Sequence, residues 1–165
     1  MIYDYLVYIG RFQPFHNGHK HIVDNALTIA KSVMIICGTG ELSAKNPWRY
    51  DEVKQMILGC YDPDSVSRLA IVTLPDVADD DKWLNSLLDI ISRSAQGKIG
   101  IIGHHKDQSS YYLDLLPGFE YLEIKNYGNI NATDIRGFLV CGDFEPIKAL
   151  VPHCVYLLIT NSFKN

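Results

Sequence analysis

Apolar and polar positions along the sequence follow two kinds of pattern. Near-continuous apolar runs, typical of strands covered on both faces, predict five strands at residues 5–10, 33–38, 69–74, 98–103 and 119–124. Between them, apolar residues recur at helical spacing, which predicts helices after residue 18, over 48–60, from 82 onward and over 111–116. After Gly128 the pattern is helical, with short helices over 132–140, 145–151 and 152–163.

This order of elements predicts an α/β fold. Strands that alternate with helices form a mostly parallel sheet with right-handed crossovers. We therefore expect a doubly wound, Rossmann-like sheet of five to six strands, followed by a helical C-terminal segment. A length of 165 residues suits one domain. We predict a single domain over 1–165, with the sheet and its crossover helices in 1–125 and the helical part in 126–165.

Composition narrows the classes of function. Hydrophobic residues make up 47% and charged residues 21% of the chain, a balance typical of folded proteins. The net charge of −4 disfavours a surface that binds duplex nucleic acid. No apolar stretch approaches the ~20 residues that span a bilayer, and the N-terminus enters a strand directly, unlike a signal peptide. We expect a cytoplasmic protein with no nucleic-acid or membrane partner, and we leave a homo-oligomer open.

The cysteines are scattered in apolar settings, and no C-x-x-C pair occurs among Cys37, Cys60, Cys141 and Cys154. We expect buried thiols, which suit a reducing cytoplasm. Disulfides and metal ligands are the alternatives.

The stretch YLVYIGRFQPFHNGH joins the first predicted strand to the first helix. Gly10 and Arg11 follow the strand, and the carboxyl end of a parallel strand is where ligands bind in such sheets. The N–H groups and the positive dipole end of the helix suit a phosphate. His16 and His19 share a helix face and offer two imidazolium donors, while Gly18 lets a base or ribose approach the backbone. This stretch predicts a nucleotide site.

The segment GRFQPFHNGH resembles the H-x-G-H superfamily of nucleotidyltransferases, in the version carried by archaeal-type nicotinamide mononucleotide adenylyltransferases. The resemblance implies that this segment binds ATP through Gly10, Arg11, Phe12, His16, Gly18 and His19. The superfamily's second motif, I-S-x-T-x-x-R, is similar to residues 130–136. There, Thr133 and Arg136 are implied to bind the β- and γ-phosphates, and Asn131 replaces the usual Ser. Asn remains a good N-cap residue.

Two further stretches are similar to regions that hold the mononucleotide in this family. Lys45-Asn46-Pro47-Trp48 resembles a loop whose basic residue reaches the phosphates. Because Val53 stands where relatives carry an Arg, Lys45 or Arg49 must substitute for it. Residues 76–83 resemble a segment in which Trp83 stacks on the nicotinamide ring. The implied mononucleotide-binding residues are Asn46, Trp48, Asp80 and Trp83.

A third stretch, residues 103–112, resembles the loop after the fourth strand in bacterial two-domain proteins that join an adenylyltransferase to a Nudix hydrolase. The resemblance implies that Gly103, Lys106 and Asp107 bind ATP. No Arg-Glu-x-x-Glu box occurs in the sequence, so we expect no hydrolase activity from it.

Each of these assignments has a plain structural alternative. The two histidines could be a helix cap and a surface residue, and a zinc site lacks a third ligand at a familiar spacing. Trp83 could be a core aromatic in the first turn of a helix, in which Asp81 could act as the cap. Arg136 could be a solvated helix residue, and residues 104–107 could be a polar loop.

The resemblance implies transfer of an adenylyl group from ATP to nicotinamide mononucleotide, which gives NAD and pyrophosphate. The mononucleotide phosphate would attack the α-phosphate in line, with Arg11, His16, His19 and Lys45 as catalytic residues. Mg²⁺ would be held by the nucleotide phosphates and by no protein ligand. The alternatives are a sister transferase that acts on pantetheine phosphate, FMN or a cytidylyl acceptor, and a nucleotide sensor without catalytic activity.

Overall fold

The computed structural model of the protein describes residues 1–104, 116, 118–125 and 127–164. Lys106 and Asp107, which the resemblance assigns to ATP, lie outside the described residues. The same is true of the helix predicted over 111–116, apart from Leu116. These three predictions stay as they are.

The chain forms two compact units whose segments alternate along the sequence. The first unit consists of Met1–Gly10, Ile22–Gly38 and Arg68–Lys125. The second consists of Arg11–His21, Thr39–Ser67 and Asn126–Asn165. The predicted C-terminal part 126–165 therefore belongs to a unit that also takes up two earlier segments, and the single domain over 1–165 stays a prediction.

The first unit is built on a five-stranded sheet, as predicted. The strands are β1 (Tyr3–Gly10), β2 (Ala30–Thr39), β3 (Leu69–Pro75), β4 (Ile99–Gly103) and β5 (Glu120–Glu123). Their order is β3-β2-β1-β4-β5, and β1–β2, β1–β4 and β4–β5 pair in parallel. The strands β2 and β3, which follow β1 in sequence, thus lie on one side of it, and β4 and β5 lie on the other side. This is the doubly wound topology that the apolar runs predicted.

Most of the helices agree with the predicted ones, but the short helix over Pro63–Val66 was not predicted, and the helix predicted over 145–151 is a 3₁₀ helix. They are α1 (Asn17–Ile29), α2 (Tyr50–Leu58), α3 (Pro63–Val66), α4 (Asp80–Ser94), α5 (Ala132–Cys141), a 3₁₀ helix (Glu145–Ala149) and α6 (His153–Lys164). In the described part of the chain, no helix combines the length and apolar character that crossing a membrane requires.

Caps explain where two of these helices begin and end. Asn131 caps α5 through its side-chain oxygen, which accepts the N–H of Asp134 at 2.8 Å, as predicted. Gly142 ends α5 with φ of 71°, a conformation that glycine adopts without a Cβ clash. The cap predicted at Asp81 is wrong. Asp79 accepts the N–H groups of Asp81 and Lys82 at 2.9 and 3.1 Å, because its extended backbone places the carboxylate under the first turn of α4.

The core of the first unit lies on one face of the sheet, under α4. Val7, Met34, Ile36 and Ile101 contribute from the strands, and Leu87 and Ile91 from the helix. This face is the one that the apolar spacing along α4 predicts, because residues four apart lie on the same side of a helix.

The prediction that all cysteines are buried is only partly right. Cys37 is buried in β2, but Cys60 and Cys154 are half-buried and Cys141 is exposed. Cys141 is exposed because α5 turns Ile135 and Leu139 inward, and Cys141 lies on another side of that helix. None of the four sulfurs is in a disulfide within the described part of the chain.

Candidate functional site

The second unit places the two predicted histidines in direct contact. Their rings stack with centroids 3.6 Å apart and planes tilted by 19°. Both side chains are buried, with 2% of His16 and 8% of His19 exposed. The alternative interpretation had one histidine as a helix cap and the other as a surface residue. His16 is indeed a cap, but His19 is buried and is not a surface residue.

His16 caps the helix that follows it. Its Nδ1 accepts the backbone N–H of Gly18 at 3.1 Å and of His19 at 3.3 Å. The N–H of Asn17 donates to the carbonyl oxygen of Leu150 at 2.9 Å. The first three N–H groups of α1 are thus all satisfied within the protein. The prediction that they are open to a phosphate is wrong for this structure, because the imidazole folds back over the helix end.

Gly18 is needed for this cap. A Cβ at this position would lie 2.9 Å from Cε1 and 3.0 Å from Nδ1 of the His16 ring. Contacts this short do not occur, so any side chain at position 18 would push the ring away. The structure thus adds a second role for the glycine in H-x-G-H, beside the approach of a ligand.

The hydrogen bonds also determine the protonation of both rings. Nδ1 of His19 accepts the backbone N–H of His16 at 3.2 Å, so Nδ1 is an acceptor in each ring. A ring nitrogen that accepts a hydrogen bond carries no proton, and each imidazole is neutral with its hydrogen on Nε2. The predicted imidazolium form is wrong here, and two cations stacked at this distance would also repel each other. Nε2–H remains the atom through which either ring donates.

Two phenylalanines of the same segment hold the histidine pair. The Phe12 ring meets His19 edge-on at 4.9 Å, and Phe15 stacks against His19 at 5.7 Å. Phe12 is 1% exposed and has φ of 57°, a left-handed backbone that bulky residues rarely adopt. This turn directs the aromatic ring onto the imidazole, so Phe12 orients His19.

Gln13, which the sequence analysis did not single out, connects the first motif to the Asn46-Pro47-Trp48 loop. Its side-chain Nε2 donates to the carbonyl oxygen of Trp48 at 2.9 Å, and its Oε1 accepts the N–H of Trp48 at 3.1 Å. The side chain is 6% exposed. A polar residue between aromatic residues in GRFQPFHNGH was the available signal, but its partner lies 35 residues away.

The second motif contacts the same residue. The guanidinium of Arg136 donates from Nη1 to the carbonyl oxygen of Gln13 at 2.7 Å and from Nη2 to Oγ1 of Thr133 at 3.3 Å. Arg136 is half-buried, and this burial lowers its pKa, although a guanidinium keeps its charge in proteins. Arg136 is not the solvated helix residue of the alternative interpretation. Three stretches far apart in sequence therefore meet at Gln13.

A cavity of about 160 Å³ lies beside this meeting point. Its lining includes Gln13, Asn46, Trp48 and Arg49. Nucleotide-sized pockets measure roughly 300–1,000 Å³, so the cavity accommodates one part of such a ligand. Arg49 lines it, whereas Lys45 is exposed and is not among the lining residues. Of the two candidates for the missing Arg, the structure places Arg49 at the cavity.

Two of the residues that line this cavity each carry a buried polar atom without a partner in the described part of the chain. Nε1 of Trp48 and Oδ1 of Asn46 are buried and have no hydrogen-bond partner among the described residues. A buried donor or acceptor without a partner costs about 1–3 kcal/mol. Both atoms belong to residues that line this cavity, but neither atom is itself exposed in it.

Two predicted glycines lie in the first unit. Gly10 and Gly103 end the adjacent strands β1 and β4, in which Val7 pairs with Ile101. Both glycines thus lie at the carboxyl edge of the sheet, beside the point where the strand order reverses. This is the position at which doubly wound sheets bind ligands.

Asp80 and Trp83 also belong to the first unit. Asp80 is exposed at the start of α4, and Trp83 is partly buried against the hydrophobic core in the first turn. The core contact agrees with the alternative interpretation of Trp83, and its stacking on a ring stays a prediction. Arg11 is exposed in the second unit.

The described ranges contain no cluster of three or more His, Cys, Asp or Glu side chains that could hold a metal ion.

Comparisons with known proteins agree with this geometry. The model of the cytidylyltransferase-like family matches residues 7–138. The chain belongs to this family, and the nucleotidyltransferase enzyme that the resemblance implied is confirmed. The chain is 36% identical over 139 residues to a nicotinamide/nicotinic acid mononucleotide adenylyltransferase of Acinetobacter baylyi, which covers 81% of this chain and 74% of that protein. It is 26% identical over 155 residues to a nicotinamide-nucleotide adenylyltransferase of Thermococcus kodakarensis, with 90% and 78% covered.

Solved structures similar to this chain also include NMN adenylyltransferases. A bifunctional NMN adenylyltransferase/ADP ribose pyrophosphatase from Francisella tularensis superposes with a TM-score of 0.81 at 33% identity. A second structure of a bifunctional protein of this name from Francisella tularensis, complexed with AMP and a manganese ion, superposes with a TM-score of 0.83 at 30% identity. The match covers 99% of this chain but only 50% of the first Francisella chain, so this chain spans about half of its length.

Proposed function

We propose that the enzyme transfers the adenylyl group of ATP to nicotinamide mononucleotide and thereby makes NAD and pyrophosphate. The observation that carries the proposal is the meeting of the H-x-G-H segment, the Asn46-Pro47-Trp48 loop and the second motif at Gln13. The names of the Acinetobacter and Thermococcus relatives support nicotinamide mononucleotide as the acceptor.

The reaction needs positioning and charge stabilisation more than proton transfer. An oxygen of the mononucleotide phosphate forms a bond to the α-phosphorus while the bond to the bridging oxygen breaks, and pyrophosphate leaves with the electron pair. The attacking phosphate is already an anion, so no strong general base is required. Groups that donate hydrogen bonds to the charge that develops supply most of the acceleration.

The second unit supplies these donors. Nε2–H of His16 and of His19 would donate to the phosphate oxygens, and Arg136 with Thr133 would hold the β- and γ-phosphates. Arg136 is supported in this role because its two existing hydrogen bonds orient the guanidinium without neutralising it. Arg11, with Lys45 or Arg49, would add positive charge.

The mononucleotide would occupy the cavity beside Trp48. The resemblance assigns the nicotinamide ring to Trp83 and Asp80 of the first unit, and this assignment stays a prediction. Gly10, Gly103, Lys106 and Asp107 keep their assignment to ATP.

Mg²⁺ would be bound by phosphate oxygens of the nucleotide, where it offsets negative charge. The described residues contain no cluster of at least three metal-ligating side chains, and Mg²⁺ commonly keeps waters and substrate oxygens as ligands. The Francisella protein complexed with AMP and a manganese ion supports the use of a divalent metal. A cytoplasmic location, the homo-oligomer and the lack of nucleic-acid partners stay predictions.

The test is an assay of pyrophosphate release from ATP with each acceptor in turn. We expect turnover with nicotinamide mononucleotide and little with pantetheine phosphate or FMN. Turnover with one of those instead would favour a sister transferase. Calorimetric binding of ATP or NAD without any turnover would favour the sensor.

Replacing His19 with alanine tests whether this histidine takes part in adenylyl transfer. We expect His19→Ala to lower kcat by about 10²–10³-fold. The matched control is His21→Ala, since His21 lies on the same helix but stacks on Tyr127 at 5.0 Å and has no assigned role. Near-normal turnover of His19→Ala with saturating substrates would exclude the role.

A further inference from the structure

We propose that Cys60 and Cys154 form a reversible disulfide when the protein meets a peroxide, and that this modification ties α2 to α6. The two sulfur atoms lie 3.5 Å apart, although the residues are 94 positions apart in sequence. This redox site is independent of the adenylyl-transfer proposal.

The two sulfurs are held together by the packing of α2 and α6. Cys60 follows α2, and its Sγ donates to the carbonyl oxygen of Met56 at 3.1 Å. Cys154 lies in the first turn of α6. Gly59 packs beside Cys154, since a Cβ there would lie at ordinary contact distance, 3.5 Å from Sγ and 3.7 Å from Cβ of Cys154. Bond formation requires the sulfurs to close by about 1.5 Å.

The opposite ends of the same helices also meet. The ring of Trp48, just before α2, lies 6.0 Å from the ring of Phe163 near the end of α6. Contacts at 48–163 and at 60–154 mean that the helices run antiparallel. A covalent bond at the cysteine end would therefore hold together the pair of helices whose other end carries Trp48.

The environments of the four cysteines make the site selective. Cys60 and Cys154 are half-buried, which admits a small oxidant. Burial raises the pKa of the Cys37 thiol to about 12, so it stays protonated and unreactive. Cys141 is exposed and open to oxidation, but an internal cross-link needs a second sulfur in contact, and the structure places that contact at Cys60 and Cys154.

The chemistry balances with peroxide as the oxidant. The thiolate of one cysteine attacks a peroxide oxygen, the O–O bond breaks, and a sulfenic acid and one water result. The sulfur of the second cysteine then attacks the sulfenic sulfur, an S–S bond forms, the S–O bond breaks, and a second water leaves. Two thiols lose two electrons to the peroxide, and a dithiol reductant reverses the step by exchange.

The expected effect is a more stable second unit. A cross-link between distant positions reduces the entropy of the unfolded chain, and for a chain of this length we expect Tm to rise by about 5–15 °C. The rise should disappear when a dithiol reductant is added.

The experiment uses the full chain treated with hydrogen peroxide and then denatured for thiol counting and for peptide mapping without reduction. We expect one cross-linked peptide pair that contains Cys60 and Cys154. In the Cys141→Ser chain, which lacks the exposed thiol, we expect the thiol count to fall from three to one. Cys60→Ser and Cys154→Ser should each abolish the cross-link and the rise in Tm, whereas Cys141→Ser should keep both.

Peptide mapping of the oxidised wild-type chain shows whether Cys60 and Cys154 are cross-linked, even if a serine variant folds poorly. Oxidation confined to Cys141, cross-links between two chains, or sulfinic acid at Cys60 without an internal cross-link would each overturn the proposal.

Discussion

Replacing Gly18 with alanine tests the role of His16 as the cap of α1. The new Cβ would lie 2.9 Å from the His16 ring, so the ring must leave the helix end. Two hydrogen bonds to its Nδ1 are then lost, and loss of a cap costs about 1–2 kcal/mol. Alanine itself favours a helix by about 1 kcal/mol over glycine. The net change in the free energy of unfolding should therefore lie between about zero and a loss of 1 kcal/mol.

A matched variant isolates the cap from the helix propensity. Gly137 lies in α5, and a Cβ there would meet nothing within 4 Å. Gly137→Ala should stabilise the protein by about 1 kcal/mol, so the two alanine variants should differ by about 1–2 kcal/mol, or by about 2–8 °C in Tm. Both are measured by thermal and urea unfolding followed by circular dichroism.

Activity gives a second measurement on the same pair. Displacement of His16 should also move the stacked His19, and misplacement of a catalytic group by about 1 Å costs on the order of 10²-fold in rate. We expect Gly18→Ala to lose adenylyl transfer and Gly137→Ala to keep it. If Gly18→Ala is as stable as Gly137→Ala and as active as the wild type, His16 does not cap the helix.

Three further predictions follow from side-chain contacts. Gln13→Met keeps the approximate volume of the side chain but leaves the backbone N–H and carbonyl of Trp48 unsatisfied. Urea unfolding should therefore show a loss of about 2–4 kcal/mol in the free energy of unfolding. An unchanged midpoint would refute the stabilising role of these two hydrogen bonds. The pKa of Asp4 is lowered, first by its hydrogen bond with Lys31 and then by a backbone N–H. This carboxylate therefore contributes stability above its unfolded pKa of 3.8, and the contribution is lost as the pH falls through the lower folded pKa. Asp4→Asn should flatten the pH dependence of the unfolding midpoint below about pH 4, and a profile identical to the wild type would contradict this. Arg136→Lys keeps the positive charge but loses the several N–H donors of the planar guanidinium. The KM for ATP should therefore rise about tenfold with little change in Tm. An unchanged KM would show that the guanidinium does not hold the phosphates.

The strands, the helices and their order could be predicted from the sequence. Residues 5–10 and 33–38 became β1 and β2 within a few positions, because burial on a sheet or a helix face repeats with the geometry of the backbone. The cap at Asn131 was predictable for the same reason, since its partner is three residues away. The resemblance to the second motif pointed to Thr133 and Arg136, and in the structure Arg136 contacts both Thr133 and Gln13.

The sequence by itself determined the elements, the family and most members of the candidate site. Only the tertiary structure decided what these side chains contact. Gln13 bonds to Trp48 and Arg136, which lie 35 and 123 residues away, and Cys60 meets Cys154. The sequence predicted that His16 would be a positively charged donor, whereas in the structure its Nδ1 accepts the N–H groups of Gly18 and His19. Local periodicity encodes which face is buried, but a hydrogen bond depends on which of several possible partners the folded chain brings within about 3 Å.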